Sequence, residues 1–435
     1  MRDPLRINNI FILPHTNNLF IVYLPVQGIL FKANATAVNN FYNALKGDKN
    51  AQLSFGLSPE SVAKINQAEE KTSIKTDRKC LFRPTSVSLF LTTNCSMKCI
   101  YCYARAGESN VQIEKEYIET AVSEVIKNAS LSEKKSITVN YHGGGDIGVV
   151  WDLVEQTTEY IHKQARKSNI KVFINTGLNG VLSDHQRKWI VENINSATVS
   201  IDGYKKIQNM LRPLKNGKPS FDIVHNTLKY FDKYNFNYAI RSTVTAETIR
   251  KLEEIITFFC ESYKATKIKV EPVFIQGRAS QNYVDMPSAS DFVKYYLKAE
   301  EKAASYNKIL LYSGARFDVV SNIFCMAAGS SFGVTPDGDI TSCYEVLEKS
   351  NPLSDLFFYG KIENGKIVIF QDRLNRLAAL TVDNKEKCQK CFAKFHCAGD
   401  CPYKDLLSEK DKKSRNYRCT INRELTKAQL LKSIL

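Results

Sequence analysis

The sequence predicts an α/β protein: a partial (β/α)6 TIM-like barrel, with a small N-terminal α+β section before it and a C-terminal cysteine-rich domain after it. Three observations predict this. Between residues 85 and 311, short apolar runs rich in β-branched residues alternate with amphipathic stretches, the pattern of parallel βα units. A loop holding three closely spaced cysteines follows the first of those runs. From about residue 315 the alternation gives way to turn signals and seven cysteines. Domains are therefore expected at 1–84, 85–314 and 315–435.

Taken in order, residues 10–13, 19–24 and 28–33 read as strands. Residues 35–45 read as a helix capped by Asn34, and Ser58-Pro59-Glu60 opens a second helix, with proline following a serine cap. Barrel strands are expected at 87–91, 137–141, 171–175, 197–201, 238–244 and 267–273, with helices between them at, for example, 114–128, 149–167 and 223–234. Six units fall short of the eight of a complete barrel, and function in such folds sits at the carboxyl ends of the strands. Farther on, Pro336-Asp337-Gly338-Asp339 is a hairpin signal.

The chain of 435 residues is long enough for two or three domains with a buried core. Its formal net charge of +15 favours acidic partners. The lysines are scattered, however, and no basic stripe interleaved with stacking aromatics is present, so nucleic acid is not expected as a partner. The best apolar run, 19–31, is broken by Pro25, Gln27 and Gly28 and is too short for a bilayer span. With no signal-peptide pattern at the N-terminus, a cytoplasmic protein without a membrane partner is expected. Twelve cysteines in a reducing compartment point to metal or catalysis rather than disulfides. Cys80 and Cys260 stand alone and read as small buried hydrophobes.

Residues 91–105 read LTTNCSMKCIYCYAR. Cys95, Cys99 and Cys102 stand at C-x3-C-x2-C spacing, and three thiolates in one loop suit a soft metal centre. Zinc sites pair C-x2-C with a second such pair. A [4Fe–4S] cluster takes four cysteines, so three from the loop leave one iron open. The segment resembles the cluster loop of radical S-adenosylmethionine (radical SAM) enzymes, and Tyr101, just before the third cysteine, fits the same pattern and joins the candidate cofactor contacts. The resemblance implies that SAM chelates the open iron. Reduction then cleaves it to methionine and a 5′-deoxyadenosyl radical, which abstracts a hydrogen atom.

Three further stretches at strand ends extend the resemblance. Tyr141-His142-Gly143-Gly144-Gly145-Asp146 follows the second strand, and consecutive glycines let backbone approach a ligand closely. It resembles the GGE motif, which implies that Gly143, Gly144 and the acid Asp146 hold the SAM amino group; Asp replaces the usual Glu, and Ile147 stands where Pro is common. Asn175-Thr176-Gly177 follows the third strand, and a short polar side chain there suits a ribose or carboxylate, which makes Asn175 a candidate cofactor contact. Ser200-Ile201-Asp202-Gly203 follows the fourth and runs on through Gln208 and Arg212 to Ser220-Phe221-Asp222. This resembles the SIDG…R…G…SFD stretch of sulfatase maturases and ribosomal-peptide maturases. By that resemblance Ser200 and Arg212 contact SAM, with Arg212 on the carboxylate as a charge-assisted pair. Arg241 and Glu271 are expected near the same face.

The closing stretch carries Cys325, Cys343, Cys388, Cys391, Cys397, Cys401 and Cys419. Seven ligands do not divide into two four-cysteine zinc sites. Their order and spacing resemble the SPASM extension of radical SAM enzymes, which implies two auxiliary [4Fe–4S] clusters and three clusters in all. Carried over residue by residue, Cys388, Cys391, Cys397 and Cys419 hold the second auxiliary cluster, and Cys325, Cys343 and Cys401 the first. Residues 319–324 lack the cysteine that some relatives supply. An open position on the first auxiliary cluster is therefore expected, filled by a substrate side chain, Asp318 or water.

SPASM-bearing enzymes mostly modify peptides. The expected reaction joins two side chains of a ribosomally made precursor peptide through a C–C cyclophane, ether or thioether bond. A carbon radical attacks a neighbouring ring or heteroatom, one electron and one proton leave, and the auxiliary clusters take the electron. Asp202, Tyr344 and Glu345 are the candidates for handling the proton. The alternative is oxidation of Cys or Ser to formylglycine, as in anaerobic sulfatase maturases. In those enzymes an acid acting as base directly follows the cysteine that matches Cys343; here Tyr344 stands there, with Glu345 next. The N-terminal section resembles winged-helix recognition elements that bind a leader peptide as an added strand. Flavodoxin or ferredoxin is the expected electron donor.

Overall fold

The computed structural model describes residues 5–54 except 8 and 17, residues 58, 60, 61, 63 and 65, residues 81–409 except 330, and residues 416–434. Cys80 and Pro59 lie outside the described residues. The chain forms two compact units, one of Cys80–Ser313 and Met326–Leu377, the other of Met1–Lys79, Gly314–Cys325 and Ala378–Leu435. The predicted 315–435 domain is thus divided, because the strands within 326–377 pair into the barrel sheet.

The larger unit is built on one sheet. Six parallel strands, β5 (Ser86–Leu89), β6 (Ser136–Tyr141), β7 (Lys171–Leu178), β8 (Ser196–Ser200), β9 (Tyr238–Val244) and β10 (Lys267–Pro272), stand side by side in chain order. β11 (Ile309–Leu311) adds in parallel beyond β10, and β12 (Gly333–Val334) adds in parallel beside β5. β13 (Asp339–Thr341), β14 (Phe358–Glu363) and β15 (Lys366–Ile369) continue the sheet as antiparallel strands. The predicted hairpin is the β12–β13 turn, where Gly338 has φ +78°.

Burial alternates along the strands, as in β6, where Ile137, Val139 and Tyr141 are buried and Ser136, Thr138 and Asn140 are half-buried. The apolar face meets the helices; Val122, Val154, Leu228, Phe259 and Phe292 are buried there. The other face is polar, so it lines the barrel interior. β7 runs on to Leu178, past the predicted end at 175. Asn175, Thr176, Gly177 and Leu178 pair with Ser196, Ala197, Thr198 and Val199 of β8, and ladder pairing outweighs the local turn signal. Helix Trp151–Lys167 starts later than predicted, because Asp146 caps a separate turn, Ile147–Val149, by accepting from Gly148 N at 2.9 Å.

The smaller unit opens with an antiparallel sheet, β1 (Leu5–Ile7), β2 (Ile10–Pro14), β3 (Leu19–Leu24) and β4 (Ile29–Asn34). Helix Ala35–Leu45 follows, with Asn34 Oδ1 accepting from Ala37 N at 2.8 Å as predicted. One face of the sheet, with Ile10, Ile12, Val22 and Leu24, packs on Val38 and Phe41 of that helix. The opposite face, with Phe11, Leu13, Ile21 and Tyr23, packs on Phe392, Ala393 and Leu430 of the closing segment. The predicted 1–84 section therefore shares a core with the cysteine-rich tail. β2 and β3 alternate in period two yet are apolar on both sides, which is why they need two covers. Among the described residues no helix is long and apolar enough to cross a membrane.

Candidate active site

The three-cysteine loop leaves the carboxyl end of β5 and is tied down along its length. Met97 bridges Leu214, Lys98 N donates to Pro213 O at 2.8 Å, and Ile100 N donates to Leu211 O at 3.0 Å. From the other side, Arg278 is almost fully buried and donates to Cys99 O at 2.9 Å and Ala106 O at 3.0 Å while pairing with Glu108 at 3.1 Å. Gly277, at φ +53°, brings that segment against the loop so closely that a Cβ would lie 2.5 Å from Cys102 O. Arg278 was not among the predicted residues. An Arg directly after a glycine in a connecting stretch is the local signal, and its burial is visible only in the structure.

The glycine run after β6 packs on the same loop. A Cβ on Gly143 would lie 2.6 Å from the Phe90 ring, one on Gly144 2.7 Å from Thr92 O, and one on Gly145 1.8 Å from Asn94 O. Gly145 N and Asp146 N donate to Thr92 O and Asn94 O at 2.7 and 2.9 Å. The Asp146 carboxyl is buried, and its second oxygen accepts from Asn179 N at 2.7 Å. Burial raises its pKa to about 6, against the lowering effect of the Asn179 and Gly148 amides. Both its oxygens are taken by backbone, so in the structure Asp146 holds loops together. Asn179, also missed from sequence, donates through Nδ2 to Cys95 Sγ at 3.5 Å and to Ser96 Oγ at 2.9 Å.

Tyr101, Asp202 and Arg212 meet in one buried network. Tyr101 donates to Asp202 Oδ2, and Arg212 Nε reaches the same oxygen at 3.0 Å. Asp202 Oδ1 accepts from Thr243 N at 2.9 Å. The Arg212 guanidinium lies 5.3 Å from the Tyr101 ring centre, and Nη1 donates to Cys99 Sγ at 3.6 Å. Desolvation opposes the charge on Arg212, yet Asp202, Tyr101 and Cys99 hold its pKa well above the usual value. Asp202 is 1% exposed, and its oxygens are all engaged. The structure therefore makes it an anchor for Tyr101 and Arg212 rather than an open proton carrier.

The other predicted residues sit on the inner face of the barrel. Asn175 lies in a polar row: it donates to Asn140 Oδ1 at 3.4 Å and accepts from Ser196 Oγ at 2.7 Å. Ser200 is half-buried at the end of β8. The Tyr344 hydroxyl meets Ser88 Oγ at 2.7 Å, and its ring stacks on His142 with centroids 4.5 Å apart. Glu345 accepts from Gln276 Nε2. Arg241 and Glu271 share the face as expected, with Glu271 accepting from Ser313 N at 2.9 Å.

In the smaller unit, Cys388, Cys391, Cys397 and Cys419 gather near one another, close enough that Cys391 and Cys419 raise the pKa of Cys388 after burial has done so. Asn422 Nδ2 donates to Cys397 Sγ at 3.0 Å, and Arg418 holds Asp400 with both oxygens at 3.0 Å. His396 is clamped between Tyr23 Oη and the carbonyls of Arg316 and Val319.

The donor set fits an iron–sulfur cluster. Burial pushes the Cys95 thiol up to about 12 and the Cys99 thiol up to about 11, so neither ionises alone near neutrality. Metal binding deprotonates such thiols, and the amide of Asn179 and guanidinium of Arg212 point N–H groups at the resulting sulfurs. Among the described residues no three His, Cys, Asp or Glu side chains are arranged for a single metal ion.

Partial barrel, strand-end cysteine loop and glycine cradle are the parts that a radical SAM domain combines. Residues 89–259 match the radical SAM superfamily model, and the chain carries that domain. Enzymes of this class work with S-adenosylmethionine and an iron–sulfur cluster. The chain is 24% identical over 77% of its length to the cysteine-type anaerobic sulfatase-maturating enzyme of Clostridium perfringens, covering 92% of that protein. The solved structure of native anSMEcpe with bound AdoMet matches with TM-score 0.61 at 18% identity, over 80% of this chain and 98% of that one. Streptococcus suis SuiB bound to precursor peptide SuiA matches with TM-score 0.52 at 14% identity, over 96% and 99%.

Proposed function

We propose that the chain is a peptide maturase, which abstracts a hydrogen from a ribosomally made precursor peptide and joins two of its side chains. The observation that carries this reading is the residue after Cys343. Tyr344 stands there, with its ring against His142 and its hydroxyl on Ser88, and the next acid, Glu345, is bonded to Gln276. A carboxylate poised to deprotonate a cysteine or serine substrate is thus missing from the position formylglycine chemistry uses. Two likenesses support a peptide substrate: SuiB is known bound to a precursor peptide, and the first relative above matures sulfatases.

Cys95, Cys99 and Cys102 would hold the cluster that leaves an iron for SAM, and this cofactor pair, when bound, supplies a 5′-deoxyadenosyl radical able to take an unactivated hydrogen. Gly143 and Gly144 offer backbone to SAM, while Asp146 shapes that backbone. Ser200 and Asn175 offer hydroxyl and amide to its polar groups. Arg212 holds positive charge beside the cysteine loop, and Asp202 with Tyr101 keeps it in place. Tyr344 and Glu345 would handle the departing proton. Cys388, Cys391, Cys397 and Cys419 would hold a second auxiliary cluster, and by the SPASM resemblance alone Cys325, Cys343 and Cys401 would hold a first, with one non-cysteine position. The leader would add along an edge of the β1–β4 sheet; β4 is an edge strand with Ile29, Lys32 and Asn34 exposed. Flavodoxin or ferredoxin would deliver the reducing electron.

Co-expression with a short acidic reading frame next to the gene, followed by mass spectrometry, tests the reading. Loss of two hydrogens with sulfur retained is expected. Loss of sulfur with formation of an aldehyde would instead establish the sulfatase-maturase alternative, which the 24% identity over 77% of the chain favours.

A further inference from the structure

The inner face of the barrel carries two basic side chains that nothing above uses. Arg241 on β9 and Lys269 on β10 are direct partners in a parallel pair, so their Cα atoms stand about 5 Å apart on the same side of the sheet. Among the described residues neither forms an ion pair or a side-chain hydrogen bond. Glu271, the acid nearest Lys269 in sequence, receives Ser313 N, and Glu345 receives Gln276. Two like charges side by side destabilise a sheet; Glu271 is close enough to favour the charge on Lys269 without forming an ion pair with it, and the pair is left open to an anion.

His142 completes the group. Its ring is held between Tyr344 and Gly177, where a Cβ would come within 2.9 Å of Cδ2. Its Nδ1 is buried with no hydrogen-bond partner, which is costly unless a ligand satisfies it. Burial first, then the charges of Arg241 and Lys269, lower its pKa to about 4, so at neutral pH it is an uncharged donor and acceptor facing two cations. Arg241 is also level with Ser200 on β8, one of the proposed SAM contacts, so an anion here would lie beside SAM. Arg241 and Lys269 each lie three residues inside the carboxyl ends of their strands, deeper than the cysteine loop that begins beyond β5.

We propose that Arg241, Lys269 and His142 form a carboxylate-binding subsite inside the barrel, which takes an acidic side chain of the peptide substrate. The proposal rests on the peptide reading above. It sets the residue to be activated at a short distance from an Asp or Glu of the core peptide, and a planar guanidinium beside an ammonium suits a carboxylate better than any neutral side chain. The net charge of +15 adds long-range attraction for such a peptide.

The test uses the full chain with its clusters reconstituted anaerobically. Calorimetric titrations at low salt are run with the capped tripeptide acetyl-Gly-Asp-Gly-amide, with its Asn twin, and separately with SAM. The Asp peptide is expected to bind about tenfold tighter than the Asn peptide in the parent chain. That ratio is expected to fall to about one in the R241Q/K269Q double variant and to persist in R241K/K269R, with SAM affinity within about threefold throughout. Equal binding of the two peptides by the parent chain overturns the proposal, as does discrimination that survives loss of both charges. A fall in SAM affinity of about tenfold or more in the double variant also overturns it, because the pair would then serve the methionyl carboxylate. The tripeptides are not turned over, so failure to find a crosslinked precursor would count against the maturase reading and leave this result standing.

Discussion

The two nitrogen donors aimed at the loop thiols, Asn179 on Cys95 and Arg212 on Cys99, set the electrical surroundings of whatever those thiols bind. Hydrogen bonds to cluster sulfurs stabilise the reduced, more negative state. Asn179→Ala is therefore expected to lower the midpoint potential of the SAM-binding cluster, read by an EPR-monitored redox titration; an unchanged potential removes Asn179 from this role. Asp202→Asn leaves Arg212 buried without its counter-charge and is expected to cost about 3–5 kcal/mol in denaturant unfolding. His142 gives a pH signature. Its pKa falls from 6.5 unfolded to about 4 folded, so below pH 6.5 the unfolded chain binds more protons. Stability is then full above about pH 6.5 and falls as pH drops toward 4, by about 3 kcal/mol in all. His142→Phe should flatten that segment of the stability–pH curve.

At the scale of elements, the seam between the cysteine loop and the glycine run depends on backbone meeting backbone. Gly145→Ala forces a Cβ to 1.8 Å from Asn94 O, so the strand-end loops must separate. Loss of iron together with a large drop in melting temperature is expected. Gly217→Ala is the control: it lies at φ +80° with nothing within 4 Å, and only the left-handed backbone penalty of about 1–2 kcal/mol applies. Equal effects of the two substitutions would show that the seam is not what holds the loop. Arg278 ties the same loop from the far side, and Arg278→Lys keeps the charge but loses the forked geometry.

At the scale of the whole molecule, three four-iron clusters require about twelve irons per chain. Alanine at Cys95, Cys99 and Cys102 should leave about eight and abolish release of 5′-deoxyadenosine. Alanine at Cys388, Cys391, Cys397 and Cys419 should also leave about eight while release persists. About four irons in the parent chain, measured by metal analysis, would refute the auxiliary clusters.

What could be read in the sequence was what neighbouring residues accomplish by themselves. Three thiols within eight positions, a run of glycines after an alternating strand and a serine–aspartate pair ending another are local facts, and local spacing already restricts what a single loop is able to chelate. The period of burial along β6, β8 and β10 was legible for the same reason. Long-range packing decided the rest. Asn179 reaches Cys95 across 84 positions and Arg278 reaches Cys99 across 179, and Asp202, a candidate for handling the proton, is a buried anchor with Tyr101 and Arg212 closed on it. The polar Asn175-Thr176-Gly177 stretch looked like a loop but was drawn into β7 by two neighbouring strands. The N-terminal sheet needed a second apolar cover, and only folding supplied the cysteine tail as that cover; likewise only the register of β9 on β10 set Arg241 beside Lys269. Composition and spacing act over a few residues, whereas burial and charge compensation are satisfied over the whole chain at once.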